Sequence, residues 1–96
     1  MYMSEESQSL TVLKALADPM RLEILARFAQ DEPVRGADAL GACPRSQPTV
    51  SHHLGRLVEA GVITEQKDGT QKTYRLNRPL LVSLGLDINL LTRPNS

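Results

Sequence analysis

Between residues 46 and 76 the apolar pattern changes its period, and that change decides most of what the chain can become. Val50, Leu54, Leu57 and Val58 stand at i, i+4, i+7 and i+8, one face of an α-helix, and Gly61 supplies its stop. Ser46 is the expected N-cap, with Pro48 in the first turn. Beyond Gly61 the segments Val62–Lys67 and Gln71–Leu76 flank Asp68-Gly69, a strong hairpin signal. A turn symmetric about Asp68 and Gly69 pairs Ile63 with Tyr74, Thr64 with Thr73, Glu65 with Lys72 and Val62 with Arg75. A slip of one residue would destroy these pairs, so the register is expected to be well specified.

The remaining elements follow from the same signals. Leu10, Leu13 and Ala17 fall at helical spacing and predict a first helix from about Ser4 to Leu16. Asp18 is a good N-cap and Pro19 suits a first helical position, so a second helix runs from there to Gln30, burying Leu22, Leu25 and Phe28. Val34, Ala37 and Leu40 predict a short third helix, Val34 to Leu40, closed by Gly41. The helix that follows Ser46 is then the fourth. Leu80, Leu81, Leu84, Ile88 and Leu91 outline a last helix from about Pro79 to Leu91, whose apolar face Leu86 and Leu90 widen. The order is four helices, a two-stranded hairpin and a C-terminal helix: mainly α with a small β-hairpin, the arrangement of a winged helix-turn-helix.

With 96 residues and neither internal repeats nor low-complexity tracts, residues 1–96 read as a single domain. Phe28, Tyr2 and Tyr74 are its only aromatics, so the core must be built from Leu, Val, Ile and Ala, and dimerisation is the expected supplement. No apolar run approaches the ~20 residues that span a bilayer. Cys43 stands alone and no signal-peptide pattern opens the chain, which points to the cytoplasm.

The 11 basic and 11 acidic side chains balance overall but are segregated. Residues 1–44 carry seven acidic against four basic side chains, and residues 45–78 carry six basic against three acidic. The basic half contains the fourth helix, whose polar positions Gln47, Thr49, Ser51 and His52 hold short or planar hydrogen-bonding groups where a plain solvated face would hold Glu and Lys. Such a helix suits the major groove of duplex DNA, about 12 Å wide, where Gln bridges an adenine edge and Ser or Thr meets phosphates or a thymine methyl.

The segments LKALADPMRLEIL (13–25), SQPTVSHHLGRLVEAGVI (46–63) and KDGTQKTYRL (67–76) resemble the ArsR family of bacterial winged-helix repressors, over roughly residues 10–78. The resemblance implies a homodimer formed by the first and last helices, a palindromic double-stranded operator, and release from it when an effector, small-molecule or redox, binds. Ser46, Gln47, Thr49, Ser51 and His52 match the groove-reading positions, with Arg45 and Arg56 near the backbone. A two-fold dimer would set its reading helices about 34–36 Å apart and so require an inverted-repeat operator.

The chain also departs from the family. Val34-Arg35-Gly36 replaces the thiolate pair expected near the third helix, and the last helix has Asp87 but no His, so the family's usual metal sites are missing. His52 and His53, about 100° apart on a helix, cannot chelate one ion in the i, i+4 manner. No metal or other cofactor is expected. Gly55 stands where Lys or Arg is common, and the turn before the reading helix, GACPR, is longer than usual.

In the wing, Lys67, Lys72 and Arg75 are candidate phosphate contacts, although lysines also protect any exposed edge strand and Arg75 could brace the wing from behind. Cys43 precedes the reading helix near Arg45, where a helix N-terminus lowers a thiol pKa, making it a candidate redox sensor or simply a small turn residue. His53, just off the apolar stripe, reads as a packing and hydrogen-bonding residue. Enzyme function finds no support in a chain without a Gly-rich phosphate loop, a metal-ligand cluster or a pocketed triad. The rival function is a winged-helix module for protein interaction or effector binding that does not read DNA.

Overall fold

Asp18 sets the first corner of the fold. Its Oδ1 accepts the backbone N–H groups of Met20 at 2.9 Å and Arg21 at 3.2 Å, capping a helix that starts at Pro19. The computed structural model describes residues 5–30, 32–36 and 47–92, with the backbone alone at Glu5–Ser7, Ala29, Gln30 and Gln47. In chain order these form α1 (Glu5–Leu16), α2 (Pro19–Gln30), β1 (Val34–Arg35), α3 (Gln47–Ala60), β2 (Ile63–Asp68), β3 (Gln71–Leu76), α4 (Arg78–Ser83) and α5 (Ile88–Leu91). The first two helices and the long one after Gln47 lie where the sequence places them.

Three expectations are corrected. Val34 does not open a helix: it sits in β1, antiparallel to β3 and opposite Tyr74, so the sheet has three strands in the order β1-β3-β2 and is more than a two-stranded hairpin. Gly36, just after the strand, is already helical, and residues 37–40 of the expected third helix lie outside the described residues. The last helix is broken in two. Gly85 adopts φ +72°, the N–H of Leu86 reaches back to the Leu81 carbonyl and that of Gly85 to Val82, the paired bonds that end a helix at a left-handed residue. Asp87 then caps α5 by accepting the Leu90 N–H at 3.3 Å.

The third correction is the wing's register. Asp68 pairs with Gln71, Lys67 with Lys72, Glu65 with Tyr74, Thr64 with Arg75 and Ile63 with Leu76, a shift of two residues from the expected pairing. The turn therefore centres on Gly69 and Thr70. Gly69 alone has positive φ, +66°, which is the pattern of a type II′ hairpin with Gly first. Centring on Asp68 and Gly69 would force Asp68 into the left-handed region, at roughly 1–2 kcal/mol. A two-residue shift keeps every side chain on its own face, so the hydrophobic pattern does not oppose it.

One hydrophobic cluster joins all layers. Phe28, Ile24, Leu25, Leu57, Ile63, Val12, Val50 and Val62 are almost wholly buried, and no polar or charged side chain among the described residues is. α3 ends with the same paired bonds as α4, Gly61 N–H to Val58 and Val62 N–H to Leu57, with Gly61 at φ +84°. Asn77 fastens this corner. Its side-chain Nδ2 donates to the Gly61 carbonyl at 2.9 Å, its backbone N–H donates to Val62 at 2.9 Å, and its Oδ1 accepts the Leu80 N–H at 3.4 Å. The end of α3, the base of the wing and the start of α4 are thereby held as one unit.

Candidate nucleic-acid interface

Helix α3 buries Val50, Leu54 and Leu57 and must therefore expose the opposite side. At about 100° per residue, Pro48, Ser51, His52, Gly55 and Glu59 fall within about 100° of arc, and all five are exposed. Thr49 and Arg56 stand on the flank turned toward α1 and α2, both exposed. Arg56 Nη1 lies 3.9 Å from Glu59 Oε2, an exposed pair that leaves the guanidinium accessible. Gln47 occupies the first turn of α3, while Cys43, Arg45 and Ser46 lie outside the described residues.

The two histidines are held differently. His53 is half-buried and its Nδ1 accepts the Arg21 Nε–H at 3.0 Å, so it fixes α3 to α2 as expected of a packing residue. Arg21 also donates to the Ala15 carbonyl at 3.3 Å, tying in the end of α1. His52 is exposed, its ring 5.6 Å from that of His53 and edge-on at 63°. Beside them, burial works to raise the Asp18 pKa, but the backbone N–H donors of Arg21 and Met20 and the charge of the Arg21 guanidinium outweigh it and leave the carboxyl below its ordinary value.

The wing grades from core to charge along one face. Ile63, Leu76 and Tyr74 are buried at its base, Glu65 comes next, and Lys67 and Lys72 stand directly opposite each other near the tip. Like charges across a ladder repel. Glu65 offsets this: its Oε2 lies 3.8 Å from Lys72 Nζ and accepts the Tyr74 hydroxyl at 3.1 Å. Burial, then the hydrogen bond to Glu65 and its charge, push the Tyr74 pKa up to about 12. The expected pairings of Ile63 with Tyr74, Thr64 with Thr73 and Val62 with Arg75 are not made, and Glu65 meets Lys72 as a diagonal contact and not as its direct partner. Arg75 is exposed on the opposite face, across from Thr64.

Between helix and wing lies a cleft of about 590 Å³, walled by Ser51, Leu54 and Gly55 on one side and Glu65, Lys72 and Tyr74 on the other. The cleft is open at Gly55, where an added Cβ would meet nothing within 4 Å. Among the described residues no group of three or more His, Cys, Asp or Glu side chains could hold a metal ion, and no helix is long and apolar enough to cross a membrane.

A polar helix displayed beside a lysine-tipped hairpin, both anchored in one aliphatic core, defines a winged helix-turn-helix protein. A family model described as a helix-turn-helix domain matches residues 16–66. The arsenical resistance operon repressor of Staphylococcus aureus is 38% identical over 85 residues, covering 88% of this chain and 81% of the relative. Among solved structures, a homodimeric winged helix-turn-helix DNA-binding domain from Mycobacterium bovis, a possible ArsR-family regulator, superposes with a TM-score of 0.72 at 27% identity, covering 83% of this chain and 74% of that one. HlyU from Vibrio cholerae gives 0.76 at 26% identity, covering 95% and 96%. The chain belongs to the ArsR family of winged-helix transcriptional regulators, a family of regulators and not of enzymes.

Proposed function

We propose that the chain is a cytoplasmic, sequence-specific repressor that binds an inverted-repeat operator as a homodimer, without a bound metal. The observation that carries this is the exposed stripe of α3, in which Ser51, His52 and Gly55 stand clear of the core beside the Lys67–Lys72 tip of the wing. Gln47, Ser51 and His52 read base edges, joined by Ser46 at the helix start and by Thr49 from the flank. Arg45, Arg56, Lys67, Lys72 and Arg75 supply backbone affinity without sequence information. The sequence relative named above represses an arsenical resistance operon, and the Mycobacterium bovis neighbour is homodimeric, which supports both halves of the proposal.

The test is a binding titration comparing DNA from upstream of the protein's own gene with random DNA of equal length, at physiological salt. Preference for the upstream DNA is expected, at the 10³-fold level or more typical of specific sites. His52→Ala and Gln47→Ala should change which base pairs are preferred, while Lys72→Gln should weaken all duplexes alike. Equal affinity for both DNAs would refute the repressor and leave a winged-helix module of another kind.

A further inference from the structure

On the flank of α3 away from the wing, an open cleft of about 360 Å³ runs between α1, α2 and the reading helix. Its wall gathers Lys14 from α1, Arg21 from α2, and His52, Arg56 and Glu59 from α3. Three cations and one imidazole thus line the same cleft as a single carboxylate. The convergence is notable because Lys14 and Arg21 come from the acidic half of the chain, where no basic surface would be sought. Arg21 is held in place by its bonds to His53 and Ala15, whereas among the described residues Lys14 has no ion pair and Arg56 only the long contact to Glu59.

We infer that this cleft is a phosphate clamp: Lys14 and Arg56 close on a single phosphate from opposite helices, with Arg21 supplying fixed positive potential behind them. Because His52 also stands on the exposed stripe of α3, a phosphate seated here lies next to the groove-reading surface. The occupant argued for is a backbone phosphate of the DNA, so the inference rests on the DNA-binding proposal. Glu59 is the built-in opponent, competing for Arg56.

The chemistry fixes the test. Each phosphate neutralised by a protein steepens the dependence of log affinity on log salt by about 0.9, whatever the DNA sequence. Anisotropy titrations of a labelled mixed-sequence duplex over a salt series should show Lys14→Gln and Arg56→Gln each lowering that slope by about one. The double variant should lose about one as well, because both side chains share one phosphate. Glu59→Gln should act in the opposite direction and tighten binding, a gain that misfolding cannot imitate. A double variant that loses about two would mean two separate contacts and would overturn the clamp.

Two controls separate the possible failures. Lys67→Gln, on the wing and far from the cleft, must lower the slope if the protein binds DNA as proposed. If it does while the cleft variants leave the slope unchanged, the backbone-phosphate assignment falls and the DNA-binding proposal stands. Inorganic phosphate titrated at constant ionic strength, followed by the amide resonances of Lys14 and Arg56, then decides between sources. Saturable shifts abolished by Lys14→Gln would assign the same clamp to a free oxyanion, and their absence, with an unchanged slope, would end it. If wild type binds no duplex at all, this titration alone decides the site.

Discussion

Tyr74 shows how one residue can serve core and interface together. Its ring is buried against the sheet base while its hydroxyl reaches Glu65, the carboxylate that also holds Lys72. The pKa pushed up to about 12 means that the neutral phenol is the form the fold favours. A raised acid pKa contributes stability that is complete below the unfolded value near 10 and is lost as pH rises through the folded value. A Tyr2→Phe protein, in which Tyr74 is the only tyrosine, should therefore develop its phenolate absorbance near pH 12, and thermal stability should fall between pH 10 and 12. Glu65→Gln should move the absorbance midpoint downward by removing the neighbouring negative charge. A midpoint near 10 in the Tyr2→Phe protein would show that burial and Glu65 do not act on the hydroxyl as described.

At the scale of elements the glycines divide by what their backbone requires. Gly55 lies inside α3, and a Cβ there meets nothing within 4 Å. Gly55→Ala should stabilise the protein by about 1 kcal/mol through helix propensity, seen as a raised midpoint in urea with an unchanged slope. Gly61 has φ +84°, and an added Cβ would come within 3.3 Å of Leu80 Cδ2. Gly61→Ala should lower that midpoint by about 1 kcal/mol or more, since it strains the residue that ends α3 and crowds α4. Equal effects of the two substitutions would contradict this division.

The same physics explains what could be read from the sequence. Asp18 and Gly61 carry local chemistry that marks a helix end wherever it occurs, and both ends lie where that chemistry puts them. The register of the wing was not legible because alternation has a period of two, so a shift of two residues leaves the pattern intact. Only the conformational demand at Asp68, weighed against Gly69, separates the two registers. β1 spans two residues, too few for any period to show, and it exists because Val34 packs beside Tyr74, forty residues away in the chain. The break in the last helix did have a signal in Gly85, which the continuous Leu spacing on either side concealed. The polar face of α3 followed from spacing, whereas the cleft that brings Lys14 to Arg56 is tertiary and has no local trace.

The molecule as a whole leaves apolar surface at the two ends of the described chain. Leu10 and Leu13 on α1 are 53% and 51% exposed, and Leu90 and Leu91 on α5 are 58% and 44% exposed, with Val82 on α4 at 75%. A core this aliphatic gains from covering them, and a two-fold partner covers each residue twice. Full burial of a Leu is worth about 1.5–3 kcal/mol. Leu13 is half-covered already, so two copies recover roughly that amount per dimer, or about a ten- to hundredfold change in the dimer dissociation constant. Sedimentation equilibrium at micromolar concentration should find wild type dimeric. Leu13→Ala should weaken the dimer by about that factor, and Leu13→Glu by more, because the partner then buries a charge. Affinity for an inverted repeat should fall in parallel, since two reading helices on one duplex depend on the subunits being joined, whereas affinity for a single half-site should stay the same. A monomeric wild type, or a Leu13→Glu protein that remains dimeric, would place the partner surface elsewhere than on α1.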